Sequence, residues 1–130
     1  MSVINVGGKA TVFGFEHDPI VIRHYEYGVQ GGRVLDLTDY KEDFIRAGHV
    51  IIKETASGVY KPMPVKDGGY ASLPAGHEYV GVCVASAAAD YPFVSIMTKG
   101  EVNDVACPYP YDGIKSAFNA AVPCIRFDHD

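Results

Sequence analysis

The stretch Tyr79-Val80-Gly81-Val82-Cys83-Val84-Ala85-Ser86 is apolar on both of the faces that an extended chain presents. Such a run is typical of a strand buried on each side, because strands with one face in water alternate apolar and polar residues. We therefore expect it to be the central strand of a β-sheet. A turn over residues 87–92 and a β-prone run over 93–98, which continues past Gly100, predict a β-meander.

The residues before this strand predict a hairpin. Residues 48–54 are rich in Val and Ile, Ser57-Gly58 is a turn signal, and residues 59–65 are again β-prone. Pro62 and Pro64 cannot donate a ladder hydrogen bond, so the second strand is expected at a sheet edge or on an irregular extended path.

Two segments carry helix signals. In the first, Thr38 or Asp39 is a suitable N-cap for residues 40–47 and Gly48 is a suitable terminator, so a short helix or a turn is expected there. In the second, Asp112 precedes residues 113–121, whose apolar side chains recur at the spacing of one helix face: Ile114, Ala117, Phe118 and Ala121. Pro123 ends that helix, and residues 124–127 alternate as a terminal strand. The fold class expected is mainly β: a small sandwich-like or barrel-like domain with one or two short helices.

Length and charge exclude several classes of protein. The 130 residues suit one domain, and the net charge of −5, with its basic residues scattered from Lys9 to Arg126, disfavours nucleic-acid binding. The longest stretch without a charge, residues 79–89, is far shorter than the roughly twenty residues of a membrane-spanning helix. The first residues lack the features of a secretion signal, so we expect synthesis in the cytoplasm.

Glycine is concentrated near the beginning of the chain, with six of the fourteen before Arg33. This distribution predicts an extended N-terminal arm over residues 1–32 and a β-rich domain over residues 33–130. The β-prone pieces 11–13 and 20–25 lie inside the arm. They are suited to pair with a strand of the same domain or, by edge-strand addition, of another chain.

A search for catalytic residues finds little. Cys107 is a candidate nucleophile if His49 or His77 approaches it, and a structural thiol otherwise. Three cysteines without Cys-x-x-Cys spacing argue against disulfides and thiolate metal sites, so Cys83, Cys107 and Cys124 are expected to be small core residues.

The trios 16–18 and 128–130 each place two carboxylates around an imidazole, which suits a divalent ion or a solvated surface. A small hydrolase that uses Cys107 or a metal near Glu16 and Asp18 is the weakest of the functional hypotheses. We predict no catalytic residue, no metal and no cofactor.

The order of several short motifs resembles the head-decoration proteins of tailed bacteriophages. The match covers residues 48–127. It consists of Gly58-Val59-Tyr60-Lys61-Pro62, the strand 79–84, Val94 to Asn103 with its Gly-Glu-Val-Asn ending, the helix after Asp112, and the final residues 122–127. Pro123 departs from the family pattern, in which a glycine often ends the helix.

This resemblance implies a virion structural protein, not an enzyme, on the outside of the capsid. It implies a homotrimer that cements neighbouring major capsid proteins, without direct contact with nucleic acid or membrane. Its capsid-binding arm contacts would be Val3, Ile4, Val6, Val12, Phe13, Phe15, Ile20 and Ile22. Its subunit contacts would be Tyr60, Pro62, Tyr109 and Tyr111, although Tyr60 suits an ordinary cross-strand pair equally well.

A second hypothesis is a β-barrel module of a head fibre or attachment protein that binds glycans or host cells. It depends on Tyr25, Tyr27, Tyr109 and Tyr111, since tyrosine rings stack on sugars. For the segment 107–111 a protein interface is favoured over plain loop packing, and ligand stacking comes third.

Overall fold

The structure is a computed structural model and describes residues 18–129. Its two helices are α1 (Asp18–Val21) and α2 (Lys115–Ala121). Its twelve strands within the described residues are β1 (Ile22–Gly28), β2 (Arg33–Val34), β3 (Phe44–Ile45), β4 (Val50–Glu54), β5 (Tyr60–Pro62), β6 (Val65–Lys66), β7 (Gly69–Tyr70), β8 (His77–Cys83), β9 (Ala87–Ala88), β10 (Phe93–Val94), β11 (Ile96–Asn103) and β12 (Ile125–Asp128). The predicted mainly β class is confirmed.

The central strand predicted from the sequence is β8. The main sheet has the order β1-β11-β8-β4-β5, with β12 added parallel to the second half of β11. β8 pairs antiparallel with both neighbours, so that Val82 lies between Val50 of β4 and Met97 of β11. Gly81 fits where a side chain would not, because a Cβ there would meet the carbonyl oxygen of Met97.

Alternate residues of the central strands pack into two separate hydrophobic clusters, one on each face of the sheet. On one face, α2, the loop before it and β12 cover residues of β4, β8 and β11; the buried members include Val50, Ile52, Val82, Met97, Ile114, Phe118 and Ile125. On the other face, the short pairs β2–β10 and β3–β9 cover Ile51, Cys83 and Ile96. Both faces of β8 are therefore covered, which explains its apolar sequence.

The hairpin prediction is confirmed by β4 and β5, which pair antiparallel around a turn at residues 55–57. β5 is the last strand in the sheet order. Pro62 pairs with Ile51 at that edge. Proline has no N–H to donate, and an edge strand tolerates this because one of its sides needs no ladder hydrogen bonds.

Of the short helix or turn expected between Thr38 and Gly48, the turn is confirmed and the helix is wrong. The chain turns there, with Asp39 in the left-handed region at φ 68°, and residues 44–45 then form β3, opposite Ala87 and Ala88 of β9. Ile45 is fully buried in this arrangement. An isolated helix of about ten residues is marginal in water, so tertiary pairing outweighs the local signal.

The second helix is confirmed, although it begins later than expected. α2 starts at Lys115 after Ile114, without a side-chain cap, and Asp112 lies exposed in the preceding turn. Ile114 and Phe118 of the predicted apolar stripe are buried, whereas Ala117 and Ala121 are exposed. Pro123 follows the last turn, as expected.

The predicted arm over residues 1–32 extends too far into the domain. Residues 22–28 form β1, which pairs antiparallel with β11, and Val21 just before it is only 1% exposed in the core. Burial of Val21 and the ladder to β11 together offset the flexibility that the glycines suggested. Six predicted arm contacts, Val3, Ile4, Val6, Val12, Phe13 and Phe15, lie outside the described residues.

Candidate interaction surface

Two of the four predicted subunit contacts are core residues, so their assignment to a surface is wrong. Tyr111 is only 3% exposed, packs against Phe118 and Phe127, and donates its hydroxyl hydrogen bond to the Gly48 carbonyl. Pro62 is buried beside Ile51 in the hairpin. Neither side chain is accessible to a partner in this fold.

The other two predicted contacts are half-buried. Tyr60 lies opposite Lys53 in the β4–β5 ladder, and the cationic groups of Arg33 and Lys53 lie 5.5 and 5.9 Å from the centre of its ring. This is the cross-strand role considered for it. Tyr109 meets the edges of His49 and Tyr70, each with ring centres 5.6 Å apart. A role for either ring between subunits stays a prediction.

The most exposed tyrosines of a regular strand are on β1. Five of its seven residues are exposed, and Tyr25 and Tyr27 keep 49% and 57% of their surface in water. Among the described residues β1 pairs only with β11, so its other side is an edge of the main sheet. An exposed edge with aromatic side chains is suited to accept a strand or an apolar surface from a partner.

A second exposed apolar area lies next to the turn between β1 and β2. Val34 of β2 pairs with Phe93 of β10, and both side chains are largely exposed. A Cβ at Gly32, in the turn between β1 and β2, would lie 3.0 Å from the Phe93 ring. We define the β1 surface as Tyr25, Tyr27, Val34 and Phe93. Single exposed apolar residues are ordinary, but several on the end strand of the main sheet and on the β2–β10 pair that follows it in the chain are suited to an interaction site.

Of the predicted arm contacts, Ile20 and Ile22 fall within the described residues. Ile20 in α1 is 52% exposed, whereas Ile22 begins β1 opposite Val102 and packs partly against the core. Ile20 is therefore accessible to a partner, and Ile22 contributes chiefly to its own domain.

Neither His49 nor His77 forms a nucleophile–base pair with Cys107 in the described part of the chain. The Cys107 thiol donates to the Asn103 carbonyl at 3.2 Å, and burial raises the pKa of this thiol to about 12. His49 and His77 each form a ring-nitrogen hydrogen bond with a main-chain carbonyl, of Met63 and Ala75 respectively. A thiol with so high a pKa stays protonated and is a poor nucleophile at neutral pH.

The three cysteines differ in burial. Cys83 is buried as expected, Cys107 is half-buried, and Cys124 is exposed, which contradicts its predicted core role. Cys124 lies after Pro123, where the chain has left α2 and β12 has not yet begun. None of the three forms a disulfide within residues 18–129.

No group of three metal-ligating side chains is found in the described part of the chain. The imidazole of His129 lies 2.8 Å from a carboxylate oxygen of Asp104, which also approaches Lys115 at 3.9 Å. The C-terminal trio thus contributes a hydrogen bond between His129 and Asp104 on the surface. The side chains of the first trio, residues 16–18, are outside the described set.

The structure reveals an aromatic cluster around a buried imidazole. His49 is fully buried, and three tyrosine rings, Tyr40, Tyr70 and Tyr109, meet it edge-on with centres 5.5 to 6.0 Å away. Removal from water lowers the pKa of His49 to about 4. Sequence reasoning considered His49 only as a base for Cys107. Tyr70 and Tyr109 lie far from His49 along the chain, and no local pattern links His49 with any of the three tyrosines.

Comparison with protein-family models, with curated proteins and with solved structures finds no match to this chain. The resemblance to decoration proteins therefore depends on the order of short motifs alone. Within residues 18–129, no helix has the length and apolar character needed to span a bilayer.

Proposed function

We propose that this protein is a capsid decoration protein: a structural virion component that binds the outside of a bacteriophage head. In this proposal it assembles as a homotrimer and cements neighbouring major capsid proteins. It needs no catalytic residue, metal or cofactor, and it is made in the host cytoplasm before it joins the virion.

The observation that carries the proposal is the β1 surface. β1 is an outer strand of the main sheet, and Tyr25 and Tyr27 are half-exposed on it. Aromatic residues are enriched at protein interfaces because they bury a large area at a low cost in conformational entropy. The ordered motif resemblance over residues 48–127 supports the same function.

The proposal divides the contacts between two partners. The segment containing Val3, Ile4, Val6, Val12, Phe13 and Phe15, continued by Ile20, binds the major capsid protein. The β1 surface and the exposed parts of Tyr60 and Tyr109 are available for contacts between subunits. Three such contacts on one trimer multiply modest affinities through effective concentration.

Light-scattering mass in solution and capsid binding test the proposal. The chain mass is 14.0 kDa, and we expect a particle of three times that mass. Expanded capsids that lack a decoration protein are the binding target, with unexpanded capsids as the matched control. A folded monomer that fails to sediment with expanded capsids would overturn the proposal.

A glycan-binding module of a head fibre or attachment protein stays the second candidate function, supported by fewer exposed tyrosines than the sequence suggested. Tyr111 is buried and Tyr109 half-buried, so among the tyrosines chosen for it only Tyr25 and Tyr27 are well exposed. They border a cleft of about 300 Å³ that also includes Glu26 and Gln30. Glycan-array binding that is lost in Tyr25→Ala and Tyr27→Ala variants would favour this candidate.

A further inference from the structure

His49 has one ring nitrogen, Nδ1, with no hydrogen-bond partner among residues 18–129. Its Nε2 lies 2.9 Å from the Met63 carbonyl oxygen, which accepts hydrogen bonds and cannot donate them, so Nε2 carries the proton. In the neutral ring Nδ1 is then an acceptor with a lone pair. Nδ1 is buried and has no hydrogen-bond partner among the described residues. A buried acceptor left unpaired is costly, so this site favours a donor from outside.

The imidazole borders a small cavity at the surface. The cavity measures about 180 Å³ and is lined by Tyr40, Glu42, Asp43, Phe44, Arg46, His49 and Tyr109. His49 is one of the residues that line this cavity, so its buried Nδ1 lies close to it. Tyr109 is half-buried and meets His49 edge-on. Because His49 itself is fully buried, a ligand can reach Nδ1 only after a displacement of the side chains that cover the ring.

The charges around the cavity are of both signs. Glu42 and Asp43 are negative, and Arg46 is positive, with its guanidinium 4.7 Å from the centre of the Phe44 ring. A larger neighbouring cleft of about 450 Å³ shares Tyr40 and Glu42 with the cavity and has the same mixture, with Asp36 and Asp39 beside Lys41 and Lys61. An anionic or a cationic ligand would meet a like charge in both places.

We propose that the cavity and the neighbouring cleft together bind a neutral glycan, with one pyranose hydroxyl donating to Nδ1 of His49. Hydroxyl groups both donate and accept, so they suit carboxylates, a guanidinium and an imidazole lone pair at one site. The Tyr40 and Tyr109 rings supply apolar surface for the sugar ring. The smaller cavity holds one sugar unit, and the neighbouring cleft receives the next. This inference is independent of capsid binding and of the β1 surface.

Histidine-¹⁵N NMR tests the proposal directly, because the Nδ1 resonance of a neutral imidazole moves when the lone pair accepts a hydrogen bond. The probes are methyl glucopyranoside, methyl galactopyranoside, methyl mannopyranoside and N-acetylglucosamine, with maltose and lactose as two-unit probes. We expect at least one of them to shift the His49 Nδ1 resonance saturably, and a two-unit probe to bind more tightly than its single unit.

Two substitutions locate the site. Glu42→Gln removes the carboxylate shared by both clefts and is expected to weaken glycan binding roughly tenfold. Glu26→Gln on β1 is the matched control and leaves binding unchanged, because Glu26 belongs to neither cleft. Glu42 is exposed, so its substitution keeps the fold intact.

Three results would overturn the proposal. In the first, Nδ1 shows a hydrogen-bonded shift without sugar and no change on adding any probe, which would identify a bound water. In the second, methylammonium or acetate shifts Nδ1 and the sugars do not. In the third, Glu26→Gln weakens glycan binding and Glu42→Gln does not, which would place the glycan at β1.

Discussion

The chain contains two Tyr-x-Tyr segments whose surroundings are opposite. Tyr25 and Tyr27 lie about half exposed on the outer strand β1, whereas Tyr111 is 3% exposed in the core and Tyr109 is half-buried against His49. Among residues 18–129, the strand that carries the first pair has a neighbouring strand on one side. The second pair follows the end of β11 and is covered by rings from α2, β7 and β12. The difference teaches that aromatic content marks an interface only after the position of the strand or loop is known.

The largest expected effect is a difference in the free energy of unfolding between variants of the two segments. Tyr111→Ala removes a buried ring and leaves the Gly48 carbonyl without its donor, so we expect the free energy of unfolding to fall by about 3–5 kcal/mol. Tyr27→Ala is the matched control, with an expected change within about 0.5 kcal/mol. Urea denaturation monitored by circular dichroism measures both. Equal losses in the two variants would contradict the comparison.

The next effect is the pH dependence that His49 contributes. Its pKa is about 4 in the folded protein and 6.5 when it is exposed, so between these values the unfolded chain binds the proton and the folded chain does not. Stability contributed by the neutral ring is complete above pH 6.5. It decreases as the pH falls to about 4, by about 3 kcal/mol in total.

Unfolding free energies measured from pH 7 to pH 4 check this prediction. His49→Phe should flatten the profile across that window, whereas His24→Gln, on exposed β1, should leave it unchanged. A His49→Phe profile with the wild-type slope would show that another group causes the decrease.

A smaller effect tests whether the backbone of β1 is part of the domain although its side chains are exposed. A Cβ at Gly28 would lie 2.3 Å from the Ile96 carbonyl oxygen. Gly28→Ala is therefore expected to lower the free energy of unfolding by about 1–3 kcal/mol. Gly113→Ala, where a Cβ would meet nothing within 4 Å, is the control. If both substitutions were neutral in thermal denaturation, β1 would be only loosely attached.

The smallest effect on stability is expected for Tyr25→Ser combined with Tyr27→Ser. Both side chains are half in water, so the free energy of unfolding should change by no more than about 1 kcal/mol. Assembly is expected to weaken at the same time, because the β1 surface is the proposed interface. Light-scattering mass and capsid sedimentation measure this, with Val59→Ser, an exposed residue away from β1, as the control. Unchanged assembly would move the interface elsewhere.

Local sequence patterns predict an element correctly where the conformation that they favour is also the one that buries its apolar side chains in the folded protein. The apolar run at 79–86 indicates a strand covered on both faces, and the Ser57-Gly58 turn between two β-prone segments indicates a hairpin. The structure contains both, as β8 and as the β4–β5 pair. The segment 39–48 has suitable helix caps at both ends but forms turns and β3. In β3, Ile45 pairs with Ala87 of β9 and is fully buried. Propensity in a short segment is weaker than the burial of one large side chain.

The candidate sites depend on packing much more than the fold does. No spacing in the sequence links His49 with Tyr40, Tyr70 and Tyr109, which the fold brings together through loops of different length. The predicted subunit contacts at Pro62 and Tyr111 were wrong for the same reason, because a tyrosine or proline in a loop has the same sequence signature whether the loop folds inward or outward.

The sequence alone therefore determined the mainly β class, the central strand, the edge hairpin and the C-terminal helix. Each of these follows from periodicity or from the backbone limits of proline and glycine, which act over a few residues. Only the tertiary structure decided that β1 belongs to the main sheet, that Tyr111 is buried while Tyr27 is exposed, and that Nδ1 of His49 has no hydrogen-bond partner within the described part of the chain. Those outcomes depend on contacts between residues distant in the chain.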